Sequence, residues 1–249
     1  MNRPLHTRFR PLATAAASLA AIALIATGCA GTPAAEESAP DAKDSSYTVE
    51  HAMGETEFET VPERIVVLDS PQMDALVALG ITPVGAPEIG AGRGFPAYLA
   101  DDLDGTESIG FIAEPDVDAI ANLAPDLIIG SKVRHEALYE ELSAIAPTVF
   151  SEDTGTNWTE QAVLTAAAVN QSDAMDQLIK GVEDRAAEVG AAVEADGTTA
   201  SIVRFRADNF RLYGPGTFSG SLLTDMGFDL GADRDWNEYS MMELSPELY

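Results

Sequence analysis

The chain has 249 residues, with 41 acidic and only 14 basic side chains, a net charge of −27 and a pI near 4.1. A surface with this much negative charge repels nucleic acid and anionic lipid head groups. Neither nucleic acid nor an anionic membrane surface is therefore expected as a partner. The acids are spread along the chain rather than gathered in one tail, which indicates a solvated acidic surface. A single cysteine excludes an intrachain disulfide.

The N-terminus has the features of a cleavable export signal. Arg3, Arg8 and Arg10 stand in a segment without acids, and an apolar, Ala-rich run follows from Leu12 to Ala26. This run is shorter than the roughly 20 residues that a membrane-spanning helix needs, although a signal anchor is the alternative. We therefore predict a signal peptide over 1–28. Its removal takes away three arginines and no acids, which moves the net charge from −27 to −30.

Cys29 follows Ala26-Thr27-Gly28. This segment resembles a bacterial lipobox, whose cysteine is acylated and becomes the first mature residue, with Ala26 standing where leucine is usual. We expect a lipidated Cys29 and a flexible tether over 29–46, because that stretch has too few large apolar residues to bury a core. More than one acyl chain is needed to hold a protein stably on a bilayer.

From Tyr47 onwards the pattern alternates between strands and helices. Tyr47–His51 and Thr56–Thr60 are predicted to form a hairpin. Further strands are predicted over Ile65–Leu68, Ile81–Gly85, Leu127–Ile129 and Thr148–Phe150. Helices are predicted over Met73–Leu79, Val117–Leu123 and Glu136–Ile145. The alternation predicts an α/β lobe with a mostly parallel sheet over 47–157.

A helical connector is predicted over 158–197. It holds the helices Thr159–Val169 and Asp173–Glu194, and the second is a rod of about 33 Å at 1.5 Å per residue. The α/β rhythm then restarts with strands Ala200–Phe205 and Phe210–Tyr213 and a helix Ser221–Met226. This second lobe, 198–249, is much shorter than the first and would bury little surface by itself, so we expect it to be incomplete.

An ordered series of short motifs carries a family likeness. They are Pro62–Asp69, Leu79-Gly80-Ile81, Glu114–Ile120, Ala124–Gly130, Asn157-Trp158, Arg204-Phe205, Arg211–Gly214 and Tyr239–Leu244. Together they resemble the substrate-binding lipoproteins of iron-siderophore ABC importers, the periplasmic binding protein family shared with vitamin B12 and haem receptors. The resemblance runs from about Tyr47 to the last residue. The second lobe of that family normally continues further.

The resemblance implies two Rossmann-like α/β lobes joined by a long rigid helix, with the ligand in the cleft between them. It implies a monomeric receptor, lipid-anchored on the outer face of the cell membrane, that passes a ferric siderophore to a membrane permease and its ATPase. Such a ligand brings Fe³⁺ already wrapped in oxygens, so the protein needs arginines and aromatic walls but no cofactor or metal ligands. A haem or cobalamin receptor, or an adhesion or enzymatic module, are the alternatives.

The few arginines are the first candidates for ligand binding. Arg204 and Arg206 fall on one face of a predicted strand by the period of two. Arg134 follows the strand Leu127–Ile129, at the end where open α/β sheets bind ligands. Arg93 lies in a glycine-rich loop that could reach the cleft. Ordinary surface ion pairs are the alternative for each of them.

Aromatic and acidic side chains complete the candidates. Trp158 and Tyr213 are expected to form walls of the cleft that stack on the ligand. The resemblance also places one permease-docking acid in each lobe, Asp118 and Glu243, where the family usually has glutamate. The alternative is that these acids only complement a helix dipole.

Direct metal binding and catalysis find little support in the sequence. Apart from His6 in the signal, the histidines are His51 and His135, too few for a nitrogen-rich metal site, although His135 could serve as an axial haem ligand. Gly216–Gly220 has the wrong spacing for a nucleophile elbow. We therefore predict no metal site and no enzyme activity.

Overall fold

The structure is a computed structural model that describes residues 46–90, 92–231, 234–245 and 247. The predicted signal peptide, the predicted lipidation site Cys29 and almost all of the predicted tether lie outside the described residues. No helix within the described ranges is long and apolar enough to cross a bilayer.

The first lobe is built on eight strands. They are β1 (Tyr47–His51), β2 (Gly54–Phe58), β3 (Ile65–Val67), β4 (Gly85–Glu88), β5 (Glu107–Phe111), β6 (Glu114–Pro115), β7 (Leu127–Ser131) and β8 (Thr148–Ser151). β1 and β2 form the predicted hairpin, and the other six form one sheet in the order β6-β5-β4-β3-β7-β8. Only the β5–β6 pair is antiparallel. The predicted parallel-rich sheet is confirmed.

Burial on both faces explains why the central strands are continuous apolar runs. Ile65 and Val67 belong to one hydrophobic cluster and Val66 belongs to the other, because successive side chains of a strand point to opposite faces. All three are at most 1% exposed. Helices therefore cover the sheet on both sides, as expected for an α/β lobe.

The helices of the first lobe are α1 (Ser70–Ala78), α2 (Val117–Asn122), α3 (Lys132–His135) and α4 (Tyr139–Ser143). Two predictions are wrong here. The strand predicted at Ile81–Gly85 begins only at Gly85, since Pro83 has no backbone N–H to pair with. The helix predicted at Glu136–Ile145 begins with a 3₁₀ turn at Glu136–Leu138 and is α-helical only over Tyr139–Ser143. β5 and β6 were not predicted.

The connector contains α5 (Trp158–Ala168) and the long helix α6 (Ser172–Ala192). α5 packs against the first lobe, where Ala162 and Ala166 join Ala75 of α1 in one cluster. α6 passes so close to the second lobe that a Cβ on Gly190 would lie 1.8 Å from the carbonyl oxygen of Met226. A glycine is therefore required at this crossing.

The second lobe contains β9 (Ile202–Phe205), β10 (Phe210–Tyr213), α7 (Phe218–Asp225) and β11 (Met241–Leu244). Its described strands form an antiparallel sheet in the order β9-β10-β11. The short turn Arg206–Asn209 explains the direction of β10, because a parallel crossover needs a dozen or more residues. The sequence analysis identified β9 and β10 but not this antiparallel pairing.

Candidate functional site

Charged side chains gather at one edge of the first-lobe sheet. Asp69 follows β3, Arg93 lies in the loop after β4, Lys132 and Arg134 follow β7, and Glu152 follows β8. Because these four strands are parallel, their carboxyl ends meet at the same edge, where open α/β sheets bind ligands. Lys132 forms an ion pair with Glu152 at 3.0 Å. Arg93 is exposed.

Arg134 links three loops at this edge. Its Nε lies 3.0 Å from Oδ2 of Asp69, and its Nη2 donates a hydrogen bond to Oγ1 of Thr154 at 3.2 Å. The carboxylate of Asp69 is only 2% exposed, whereas the side chain of Arg134 is 47% exposed. The other oxygen of Asp69 accepts a hydrogen bond from the N–H of Ser70 at 2.8 Å and so caps α1. The guanidinium is therefore fixed along one edge and open to solvent along the other.

His135 pins the turn that carries Arg134. Its Nδ1 accepts a hydrogen bond from the N–H of Ser131 at 3.2 Å, so Nε2 carries the proton and donates to the carbonyl of Ile112 at 2.9 Å. Burial lowers the pKa of His135, which favours this neutral form. With both nitrogens engaged and 1% exposure, the ring is not available as a haem ligand. Among the described residues, no group of three or more His, Cys, Asp or Glu side chains could hold a metal ion.

In the second lobe, arginines form a row across the sheet. Arg204, Arg211 and Glu243 are direct partners in neighbouring strands and therefore share one face. Nε of Arg211 donates to Oε1 of Glu243 at 2.6 Å, and Nη1 of Arg206 lies 3.9 Å from the same oxygen. Tyr213 lies two residues beyond Arg211 on the same face. We call Arg204, Arg206 and Arg211 the arginine face.

Arg211 was not among the residues predicted for the site. A signal was present, since Arg211 and Tyr213 alternate with apolar Phe210 and Leu212. Recognising it required the antiparallel pairing of β9 with β10, which places Arg211 opposite Arg204.

The two predicted docking acids have different surroundings. Asp118 lies in the first turn of α2, which the side chain of Asp116 caps. Glu243 lies within β11, where its carboxylate is engaged by the arginine face. Just after β11, the hydroxyl of Ser245 accepts the N–H of Glu247 at 3.3 Å and donates to its carboxylate at 2.7 Å.

A polar cavity of about 510 Å³ lies between the two lobes. Its walls are Lys132, Val133, Glu136, Glu152 and Asp153 of the first lobe and Glu238 and Tyr239 of the second. The next residue, Ser240, accepts hydrogen bonds from the N–H of Gly214 and, through its hydroxyl, from the N–H of Gly216. The cavity therefore adjoins the end of β10, the strand that carries Arg211 and Tyr213.

Trp158 lies elsewhere, at the junction of the connector and α7. Its Nε1–H donates to Oγ of Ser221 at 2.9 Å, and its ring meets Phe218 edge to face at 5.2 Å. It borders a second cavity of about 450 Å³, lined mainly by apolar side chains of α1, α5 and α6. This cavity presents few polar groups. The cavity between the lobes is polar, with four carboxylates and Lys132 in its walls, and the arginine face and Arg134 are not part of its lining.

Known proteins with a similar sequence or structure identify the family of this chain. The profile of the family described as periplasmic binding protein matches residues 65–239, and the chain belongs to this family. The probable siderophore-binding lipoprotein YfiY of Bacillus subtilis is 43% identical over 183 residues, which cover 73% of this chain and 56% of YfiY. The Fe(3+)-citrate-binding protein YfmC of the same organism is 29% identical over 231 residues, or 89% of this chain and 72% of YfmC.

Among solved structures, Staphylococcus aureus SirA complexed with staphyloferrin B superposes with a TM-score of 0.71 and 33% identity, covering 81% of this chain and 71% of SirA. The predicted family and two-lobe fold are therefore confirmed. The family and these relatives are solute-binding proteins, not enzymes. The chain spans little more than half of the length of YfiY, 56%.

Proposed function

We propose that the protein is the substrate-binding component of an ABC importer and binds a ferric siderophore in the cleft between its lobes. The observation that carries this proposal is the arginine face of Arg204, Arg206 and Arg211. In a chain with 14 basic and 41 acidic residues, three arginines lie together on this face, and two of them contact a single glutamate. The names of YfiY, YfmC and SirA, which refer to siderophores or ferric citrate, support the same reading.

Within this class we propose a ligand that carries carboxylates, of the ferric citrate type. A guanidinium presents parallel N–H donors that match the two oxygens of a carboxylate, and these charge-assisted bonds are stronger than neutral ones. Arg134 offers a further guanidinium edge from the first lobe. Fe³⁺ is cargo here and arrives with its own oxygen ligands, so the receptor contributes no metal ligand and no catalytic step.

The test is a ligand panel measured with the purified protein. Ferric citrate, a ferric hydroxamate, a ferric catecholate, haem and cobalamin are titrated by calorimetry, with iron-free citrate as the matched control. We expect the tightest binding with ferric citrate and little heat from citrate alone. The proposal fails if no ferric chelate binds. Preferential binding of haem or cobalamin would establish a different ligand class on the same scaffold.

We also propose a lipid anchor at Cys29, on the outer face of the cell membrane, and docking to a permease through one acid on each lobe. The sequence assigned Asp118 and Glu243, and we add Glu247, just after β11, as a second candidate for the acid of the second lobe. Two double variants separate these assignments, Asp118→Ala with Glu247→Ala and Asp118→Ala with Glu243→Ala. We expect the first to lower cellular uptake of radioactive ferric citrate with unchanged affinity. Normal uptake by the first together with impaired uptake by the second would restore Glu243 as the docking acid.

A further inference from the structure

Asp69 is a buried acid at the carboxyl edge of the first-lobe sheet. Asp69 follows β3, a central strand that lies beside β7, and is only 2% exposed. One oxygen caps α1 through the N–H of Ser70. The other oxygen, Oδ2, is buried and accepts no hydrogen bond from the described residues, and its charged neighbour is Nε of Arg134 at 3.0 Å.

A carboxylate in this position needs a compensating charge. Removing a carboxylate from water is costly unless a cation or several donors replace the lost hydration. Arg134 is that cation, and it comes from α3, after β7, rather than from α1, which Asp69 caps. The pair therefore fixes where the guanidinium lies relative to the sheet.

The contacts of Arg134 determine which of its donors remain available. Asp69 holds the Nε edge, and Thr154 in the loop after β8 accepts from Nη2. The side chain is still 47% exposed, so the remaining N–H groups face solvent at the carboxyl edge of the sheet. If the ion pair between Asp69 and Arg134 served only to stabilise the fold, a fully buried guanidinium would be expected. The guanidinium of Arg134 is instead partly exposed.

We propose that Asp69 is a positioning residue for ligand binding. Its buried carboxylate holds the guanidinium of Arg134 with one edge presented to a carboxylate of the ligand. Binding then loses little of the rotational freedom that a mobile arginine would have to give up. The inference rests on the proposed function, since it concerns recognition of the same anionic ferric chelate.

The test is a double-mutant cycle between Asp69→Asn and Arg134→Ala, read as the affinity for ferric citrate. Asparagine keeps the oxygen that caps α1 and removes only the charge, so the fold should be retained. We expect Asp69→Asn to weaken binding about tenfold in the wild-type background and less than about twofold when Arg134 is already alanine. The matched control is Asp126→Asn, whose carboxylate accepts the N–H groups of Glu63 and Arg64 at the opposite edge of the sheet and should leave the affinity unchanged.

Every outcome of this cycle either supports or overturns the proposed role of Asp69. Equal losses in both backgrounds, or no loss in the wild type, would show that Asp69 acts only on the fold. If Arg134→Ala does not fold, Arg134→Gln replaces it in the same cycle, and Thr154→Val gives a second perturbation that should also act only through Arg134. If the wild-type protein binds no ferric chelate, the proposed function fails and this inference fails with it. If the wild-type protein binds ferric citrate but the effects of the Asp69 and Arg134 substitutions are additive, only this inference is overturned.

Discussion

Arg211 offers the sharpest test of the arginine face. Arg211→Ala removes a guanidinium and leaves the carboxylate of Glu243 with Arg206 at 3.9 Å as its remaining recorded ion-pair partner among the described residues. Loss of one charge-assisted hydrogen bond to the ligand costs about 1.5 to 3 kcal/mol, or roughly a tenfold to hundredfold loss of affinity. The exposed Glu243 then repels each negative charge of a ligand about 8 Å away by about 0.5 kcal/mol in a water-like dielectric.

These magnitudes predict an order of affinities for ferric citrate. Glu243→Gln should stay within about threefold of the wild type, because an exposed ion pair contributes about 0 to 1 kcal/mol. Arg211→Ala should be the weakest binder, and adding Glu243→Gln should recover about twofold, the equivalent of 0.5 kcal/mol. Calorimetric titration at two salt concentrations measures this order, with Arg185→Ala on the exposed surface of α6 as a control of equal charge change. The reasoning is refuted if Arg211→Ala binds as well as Arg185→Ala.

Two further predictions concern stability. Gly190→Ala should destabilise the protein by about 1 to 3 kcal/mol, because the new Cβ would clash with the carbonyl of Met226, just after α7. Gly181→Ala on the same helix would meet no atom within 4 Å and should stabilise the protein by about 0.5 to 1 kcal/mol. Similar melting temperatures for the two variants would contradict this. The lowered pKa of His135 makes protonation favour the unfolded chain, so stability is lost as the pH falls from about 6.5 towards that lowered pKa. His135→Gln should make the melting temperature fall less steeply over this range, and an unchanged slope would count against the buried neutral form.

The elements that the sequence predicted well are those with a strong local signal. The runs at β3, β7 and β8 are apolar because both of their faces are buried, so they could be recognised without knowing their neighbours. β5 has no such signal, because Ile109 is its only fully buried residue. The broken helix between His135 and Tyr139 was also missed, since the pattern of apolar residues continues across the 3₁₀ turn.

Site residues were harder to predict because their roles come from pairing. Arg204 and Arg206 were found from the period of two, which is a property of one strand. Arg211 required the pairing of β9 with β10. The pairing of β10 with β11 places Glu243 opposite Arg211, and Glu243 contacts both Arg211 and Arg206. Trp158 is a residue type that often forms the wall of a ligand cleft. In the structure, however, its indole N–H donates a hydrogen bond to the hydroxyl of Ser221 on α7.

Among 41 acids, a carboxylate gains a distinct role only through its neighbours. In the sequence nothing separates Asp69 from the other acids, and Asp118 and Glu243 are singled out only by the family resemblance. In the fold Asp69 is enclosed at the cleft with one cation, Asp118 lies in an exposed first turn, and Glu243 moderates the arginine face. Their neighbours come from loops and strands that lie far away in sequence, so local patterns do not reveal them. Asp69 and Glu243 are therefore expected to have opposite effects on the binding of an anionic ligand. Asp69 orients Arg134 towards the ligand, whereas Glu243 competes with the ligand for Arg206 and Arg211.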